Sequence, residues 1–71
     1  MNLIKVTEIW IIQDIDDNCI YGLYDDKTCA FEDFFSILKQ CEDYVIEGTV
    51  IKYDSKEIYK LYSVEYKQKH F

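Results

Sequence analysis

The chain contains no arginine and no proline, and only two glycines, one histidine and one tryptophan among its 71 residues. Each shortage removes a class of protein. Nucleic acid is gripped through phosphate contacts from clustered Lys and Arg. Eight lysines against fourteen acids, a net charge of −6, supply no such network. The same balance repels the chain from anionic membrane surfaces. Two isolated glycines, Gly22 and Gly48, build no glycine-rich phosphate loop. Without proline or a flexible tract, nothing marks a linker, and 71 residues suit one domain.

Catalytic groups are equally scarce. His70, the sole histidine, stands next to the last residue, where a general base would lack an ordered partner. A cysteine nucleophile would need that same base. The three cysteines, Cys19, Cys29 and Cys41, are odd in number and lack any C-x-x-C knuckle. That excludes a dense disulfide framework and disfavours zinc. They are expected to be reduced and largely buried, which places the chain in the cytoplasm. Asp14, Asp16, Asn18 and Asp25 fall on positions 1, 3, 5 and 12 of a calcium-loop template. Cys19 occupies the sixth position in place of Gly, so a hairpin turn accounts for these residues more simply. The neighbouring carboxylates Asp16/Asp17 and Glu32/Asp33 lack the pockets that would drive their pKa values apart. The expectation is therefore no enzyme, no metal and no cofactor. The first residues have Lys5 and Glu8 inside their apolar run, unlike a signal peptide. No apolar stretch approaches the ~18 residues that cross a bilayer, so a soluble protein is expected.

Aromatic residues are plentiful: seven Tyr, four Phe and one Trp, 17% of the chain. Disordered chains are poor in these residues, so this one folds. At this size only about 60% of the unfolded surface is buried on folding, and the core is marginal.

Residues 3–13 are rich in β-branched side chains. Ile4, Val6, Trp10 and Ile12 make one apolar face with Glu8 the exception, and Ile9 and Ile11 make the other face partly apolar. Residues 14–18 read as a turn and Cys19 to Tyr24 as the returning strand, with Gly22 marking a bulge or a close approach. Asp26 or Thr28 can cap a helix, and Glu32 and Asp33 add negative charge in its early turns. Ala30, Phe31, Phe34, Phe35, Ile37, Leu38 and Cys41 form its apolar stripe, which reads as core packing. A third strand is expected from Tyr44 to Tyr53, interrupted by Gly48, a turn at 54–57, and a fourth strand from Ile58 to Tyr66.

The expected fold is α+β: a single β-β-α-β-β domain over residues 1–66, with 67–71 a short polar tail. Its antiparallel four-stranded sheet carries one helix on one face. The other face is then open, with Tyr21, Tyr59, Tyr62 and Tyr66 as candidate occupants beside Ile9 and Ile11. Tyrosine is enriched at interfaces, which makes this a candidate homodimer face; strand propensity explains the same residues.

Charge is unevenly spread. Residues 1–43 hold ten acids and three lysines, a net −7; residues 44–71 hold four acids and five lysines, a net +1. The candidate partner-binding residues are Asp14, Asp16, Asp17, Asp25, Asp26, Glu32 and Asp33, which would face a protein with a basic surface. Solubility together with helix capping would produce the same pattern.

The stretch from Ile20 to Ala30, Ile-Tyr-Gly-Leu-Tyr-Asp-Asp-Lys-Thr-Cys-Ala, resembles a pattern in small uncharacterised bacterial and phage domains. There a strand ending apolar-Gly-apolar-aromatic runs into a capped helix. The resemblance implies the β-β-α unit and carries no activity. In size and acidity the chain also looks like phage-encoded inhibitors of host defence, such as anti-CRISPR and anti-restriction proteins. The uneven charge on a compact fold without catalytic groups, together with that likeness, leads to the expectation of a non-enzymatic inhibitor that occupies a basic, nucleic-acid-binding surface of a host protein. The alternative is a structural or accessory protein acting as a homodimer through its sheet.

Overall fold

The computed structural model describes the backbone of residues 3–70 and the side chains of residues 8–65. The elements are β1 (Leu3–Asp14), β2 (Cys19–Tyr24), α1 (Lys27–Leu38), β3 (Tyr44–Glu47), β4 (Val50–Tyr53) and β5 (Lys56–His70). The domain is α+β, and its single sheet is antiparallel with strand order β2-β1-β5-β4-β3. It has five strands where four were expected. The segment from Tyr44 to Tyr53 is two strands rather than one, folding back on itself at Gly48, whose φ of +63° is a left-handed conformation that glycine adopts at little cost. Glu47 then pairs with Val50, and Tyr44 with Tyr53. A second tight reversal follows at Asp54 and Ser55, both at positive φ, which matches the twist of a two-residue hairpin.

Asp26 caps α1, its carboxylate accepting from the Thr28 backbone N–H at 3.2 Å. Lys27 begins the helix, so Glu32 and Asp33 stand beyond the first turn, which holds no acid. Ala30, Phe34 and Ile37 recur at helical spacing and are fully buried. They close over Ile12, Ile51 and Leu61 from β1, β4 and β5, and these six residues are the core. Phe31 and Leu38 pack at its margin, whereas Phe35 is 44% exposed.

Side chains alternate across a strand, so the register decides which face each one serves. Ile12 pairs with Leu61 and Asp14 with Tyr59 on the helix side; Ile11 pairs with Tyr62 and Ile9 with Val64 on the open side. The four tyrosines expected together therefore separate. Tyr62 lies on the open face, whereas Tyr59 lies on the helix side and packs against the core. Tyr21 is the extra residue of a bulge, because pairing passes from Ile12 with Gly22 to Gln13 with Ile20. Its ring meets Tyr59 edge-on, centroids 5.8 Å apart. Tyr66 pairs with Thr7, and its side chain lies outside the described residues.

β2 pairs β1 only from Trp10 to Asp14, and β4 pairs β5 only from Lys56 to Lys60. Beyond them β1 and β5 continue as a two-stranded ribbon, giving a longest dimension of 53 Å. Residues 67–70, expected as a tail, continue β5 opposite residues 3–6, while Phe71 is outside the described residues. No helix among the described residues is long and apolar enough to cross a membrane.

Candidate functional site

The helix covers the middle of the sheet and stops at Leu38, short of the end where β1 turns into β2. At that end the helix-side face is left uncovered. A cleft of about 280 Å³ opens there, lined by Asp14, Asp16, Asp17, Cys41, Tyr44, Tyr53, Ile58 and Tyr59. Four separate segments build it, the connection from α1 to β3 supplying Cys41. The β1–β2 turn supplies the carboxylates, the β3–β4 hairpin supplies Tyr44 and Tyr53, and β5 supplies Ile58 and Tyr59.

Local chemistry explains each contribution. The Asp14 carboxylate accepts from the Asp17 backbone N–H at 2.9 Å, an Asx-type turn that holds the loop in shape. Asn18 completes the reversal at positive φ. A second bulge inserts Ile58, since pairing passes from Ile51 with Tyr59 to Lys52 with Glu57. The Ile58 carbonyl accepts from the Ile15 N–H at 2.8 Å, which ties the turn to β5.

The tyrosine rings stand at steep angles. Tyr44 meets Tyr53 edge-on at 6.0 Å and 88°, and Tyr59 at 6.4 Å and 66°. Edge-to-face contacts of this kind are favourable, and all three rings line the cleft. Burial, followed by the nearby Asp14 carboxylate, pushes the Tyr59 phenol above its ordinary value. Tyr59 therefore stays a neutral hydrogen-bonding group at physiological pH. Lys56 Nζ reaches the rim and pairs with Asp16 at 2.9 Å; both side chains are well exposed, so the pair adds little stability.

The seven acids singled out by charge do not form one patch. Asp14, Asp16 and Asp17 converge on the cleft, while Asp25 and Asp26 lie at the far end of β2. Asp26 is spent on the helix cap and on Cys29, whose thiol donates to it at 3.2 Å. That thiol and the Thr28 N–H hold the Asp26 carboxyl below its ordinary value, and Asp26 in turn raises the Cys29 thiol. Asp33 accepts a 2.7 Å hydrogen bond from the Tyr24 hydroxyl. Burial, then that bond, raises Tyr24 to about 12. Among the described residues, no hydrogen bond or ion pair engages the carboxylates of Asp17, Asp25 and Glu32.

The expectation of buried cysteines fails: Cys19 and Cys29 are exposed, Cys41 is half-buried and lines the cleft, and all three are unpaired. Cys29 sits on the outer side of the first helical turn, where its neighbour Ala30 takes the core position. The side chain of His70 lies outside the described residues.

Tyr44 and Tyr53 were missed as site residues. The signal was present, because a two-residue turn at Gly48-Thr49 sets the two tyrosines opposite each other. No family model, curated protein or solved structure matches the chain.

Proposed function

We propose that this chain is a non-catalytic, acidic binding module that docks on a basic surface of another protein. The observation that carries this reading is the convergence of Asp14, Asp16 and Asp17 on a tyrosine-lined cleft at one end of the sheet. Carboxylates on a tight, hydrogen-bonded turn are already arranged for a cationic partner, which lowers the ordering cost of binding. A net charge of −6 steers such a partner toward the chain from a distance. A basic surface that normally holds nucleic acid has the matching chemistry, so occupying it would make the chain an inhibitor of the mobile-element kind. Immobilised protein exposed to bacterial lysate tests this. The expected result is capture of a basic, nucleic-acid-handling protein that weakens with salt, is lost on neutralising Asp14, Asp16 and Asp17 to Asn, and releases its nucleic acid when the chain is added. Retention of the same partner by the triple variant would overturn the reading.

A second reading rests on the open sheet face. Leu23 is 64% and Val64 44% exposed there, next to Ile9, Ile11 and Tyr62. Apolar surface of that kind suits a second copy of the chain, and most of the acids lie elsewhere. Light scattering at tens of micromolar reports the outcome. A dimer dispersed by Tyr62→Lys supports this reading, and a strict monomer ends it.

A further inference from the structure

The cleft between the β1–β2 turn and the β3–β4 hairpin is more selective than a patch of negative charge. Its 280 Å³ fall just under the ~300–1,000 Å³ of ordinary small-molecule sites, so it has room for one side-chain head but is small for a nucleotide. Its wall is aromatic: Tyr44 at the centre, with Tyr53 and Tyr59 turned 88° and 66° to it. Ring faces set at such angles around a space attract a cation through their quadrupoles. Asp14, Asp16 and Asp17 add acceptors at the mouth.

We infer that this cleft binds the guanidinium of an arginine side chain presented by the partner. The choice among cations follows from the lining. A quaternary ammonium has no N–H and cannot use the carboxylates. A primary ammonium is compact and strongly hydrated; it can lie over a ring, as Lys60 does over Tyr62 at 5.4 Å, but it offers no flat face to stack and no fork of donors to share between a ring and a carboxylate. A guanidinium is flat, weakly hydrated and carries five donors in a fork. It stacks on a tyrosine face while its N–H edge reaches Asp17, whose carboxylate has no partner among the described residues. The chain itself contains no arginine, so neither its own residues nor a second copy can supply this group. The ligand comes from another molecule.

This inference rests on the reading of the chain as a docking module for a basic protein, and titration with short capped peptides separates the two. Gly-Arg-Gly and Gly-Lys-Gly amides are added to isotopically labelled protein, and backbone amide shifts are followed by NMR. The arginine peptide is expected to move the resonances of Asp17, Tyr44, Tyr53 and Tyr59 saturably, and to bind about fivefold more tightly than the lysine peptide. Tyr53→Ala and Asp17→Asn, both at exposed positions, should each weaken it severalfold. Lys56→Gln, which releases Asp16 and removes the competing cation, should tighten it; a variant that merely damaged the fold would not. Equal binding of both peptides, unchanged by Tyr53→Ala but lost on Asp17→Asn, would overturn the guanidinium site and leave charge-driven docking standing. No saturable shift at these residues with either peptide would overturn the site outright. If the lysate partner is lost with the Asp triple variant but kept by Tyr53→Ala, the docking reading holds and the cleft is not its anchor.

Discussion

The phenol ring of Tyr24 lies across the backbone of Gly22. A Cβ built on Gly22 would come within 2.5 Å of the Tyr24 hydroxyl and 2.8 Å of two ring carbons. From there the hydroxyl reaches Asp33 on the helix at 2.7 Å. The bare glycine thus lets one side chain fasten β2 to α1. Gly22→Ala should destabilise the fold by about 1–3 kcal/mol, because the ring must leave its place. In a Tyr24→Ala background the same substitution should cost much less, a coupling that a double-mutant cycle in urea would measure.

The raised Tyr24 phenol gives stability an alkaline limit. The folded chain holds this proton up to about 12, against an ordinary value of 10. The unfolded chain releases it first, so this contribution is complete below pH 10 and is lost as pH climbs toward 12. Denaturation across that window should show a steeper loss for the natural chain than for Tyr24→Phe. Identical slopes would mean the hydroxyl is not held as described.

The Asp26 carboxylate both caps α1 and restrains Cys29. Replacing it with Asn keeps a good capping residue but removes the carboxylate whose hydrogen bond first, and charge second, raises the thiol. The Cys29 thiolate fraction should increase, and alkylation at mildly alkaline pH should accelerate at Cys29 alone, with Cys19 as the internal control. Peptide mapping by mass spectrometry reads both sites.

Glu8 pairs directly with Glu65 across β1 and β5, and both are exposed. Like charges set opposite each other in a sheet oppose pairing. Glu65→Lys should therefore stabilise the chain by about 0.2–1 kcal/mol, an effect that fades in high salt. A loss of stability in thermal melts would contradict the register.

Two phenylalanines one residue apart should behave very differently. Phe34 is fully buried at the centre of a six-residue core, whereas Phe35 is 44% exposed. Phe34→Ala should cost about 3–5 kcal/mol, enough to unfold a domain this small. Phe35→Ala should remain folded by circular dichroism.

The helix was readable from the chain because Ala30, Phe34 and Ile37 repeat at 3.6-residue spacing behind a capping Asp26. The first hairpin was readable from Asp14 to Asn18, where turn chemistry is local. The faces of the tyrosines were not. Two bulges, at Tyr21 and Ile58, each shift the alternation of a strand by one residue; Gly22 pointed to the first, but nothing in the sequence marks the second or says which residue is the extra one. At Gly48 the sequence shows an interruption but not a full reversal, because Tyr44 to Tyr53 is apolar enough to pass for one strand. The cleft depends on all of these together. Its acids stood out by charge, but its aromatic wall comes from segments that meet only after the sheet has formed.

The central ladder of this sheet joins β1 to β5, and every other element lies between them along the chain. Closing that ladder means closing a loop that contains the helix and all three remaining strands, an entropic cost incurred before most of the reward arrives. The first hairpin and α1 can collapse early, but Ile12 has no Leu61 to meet until β5 is present. Folding should therefore be slow for so short a chain and strongly all-or-none, and during synthesis the apolar flank of β1 stays without its mate until the final strand emerges from the ribosome.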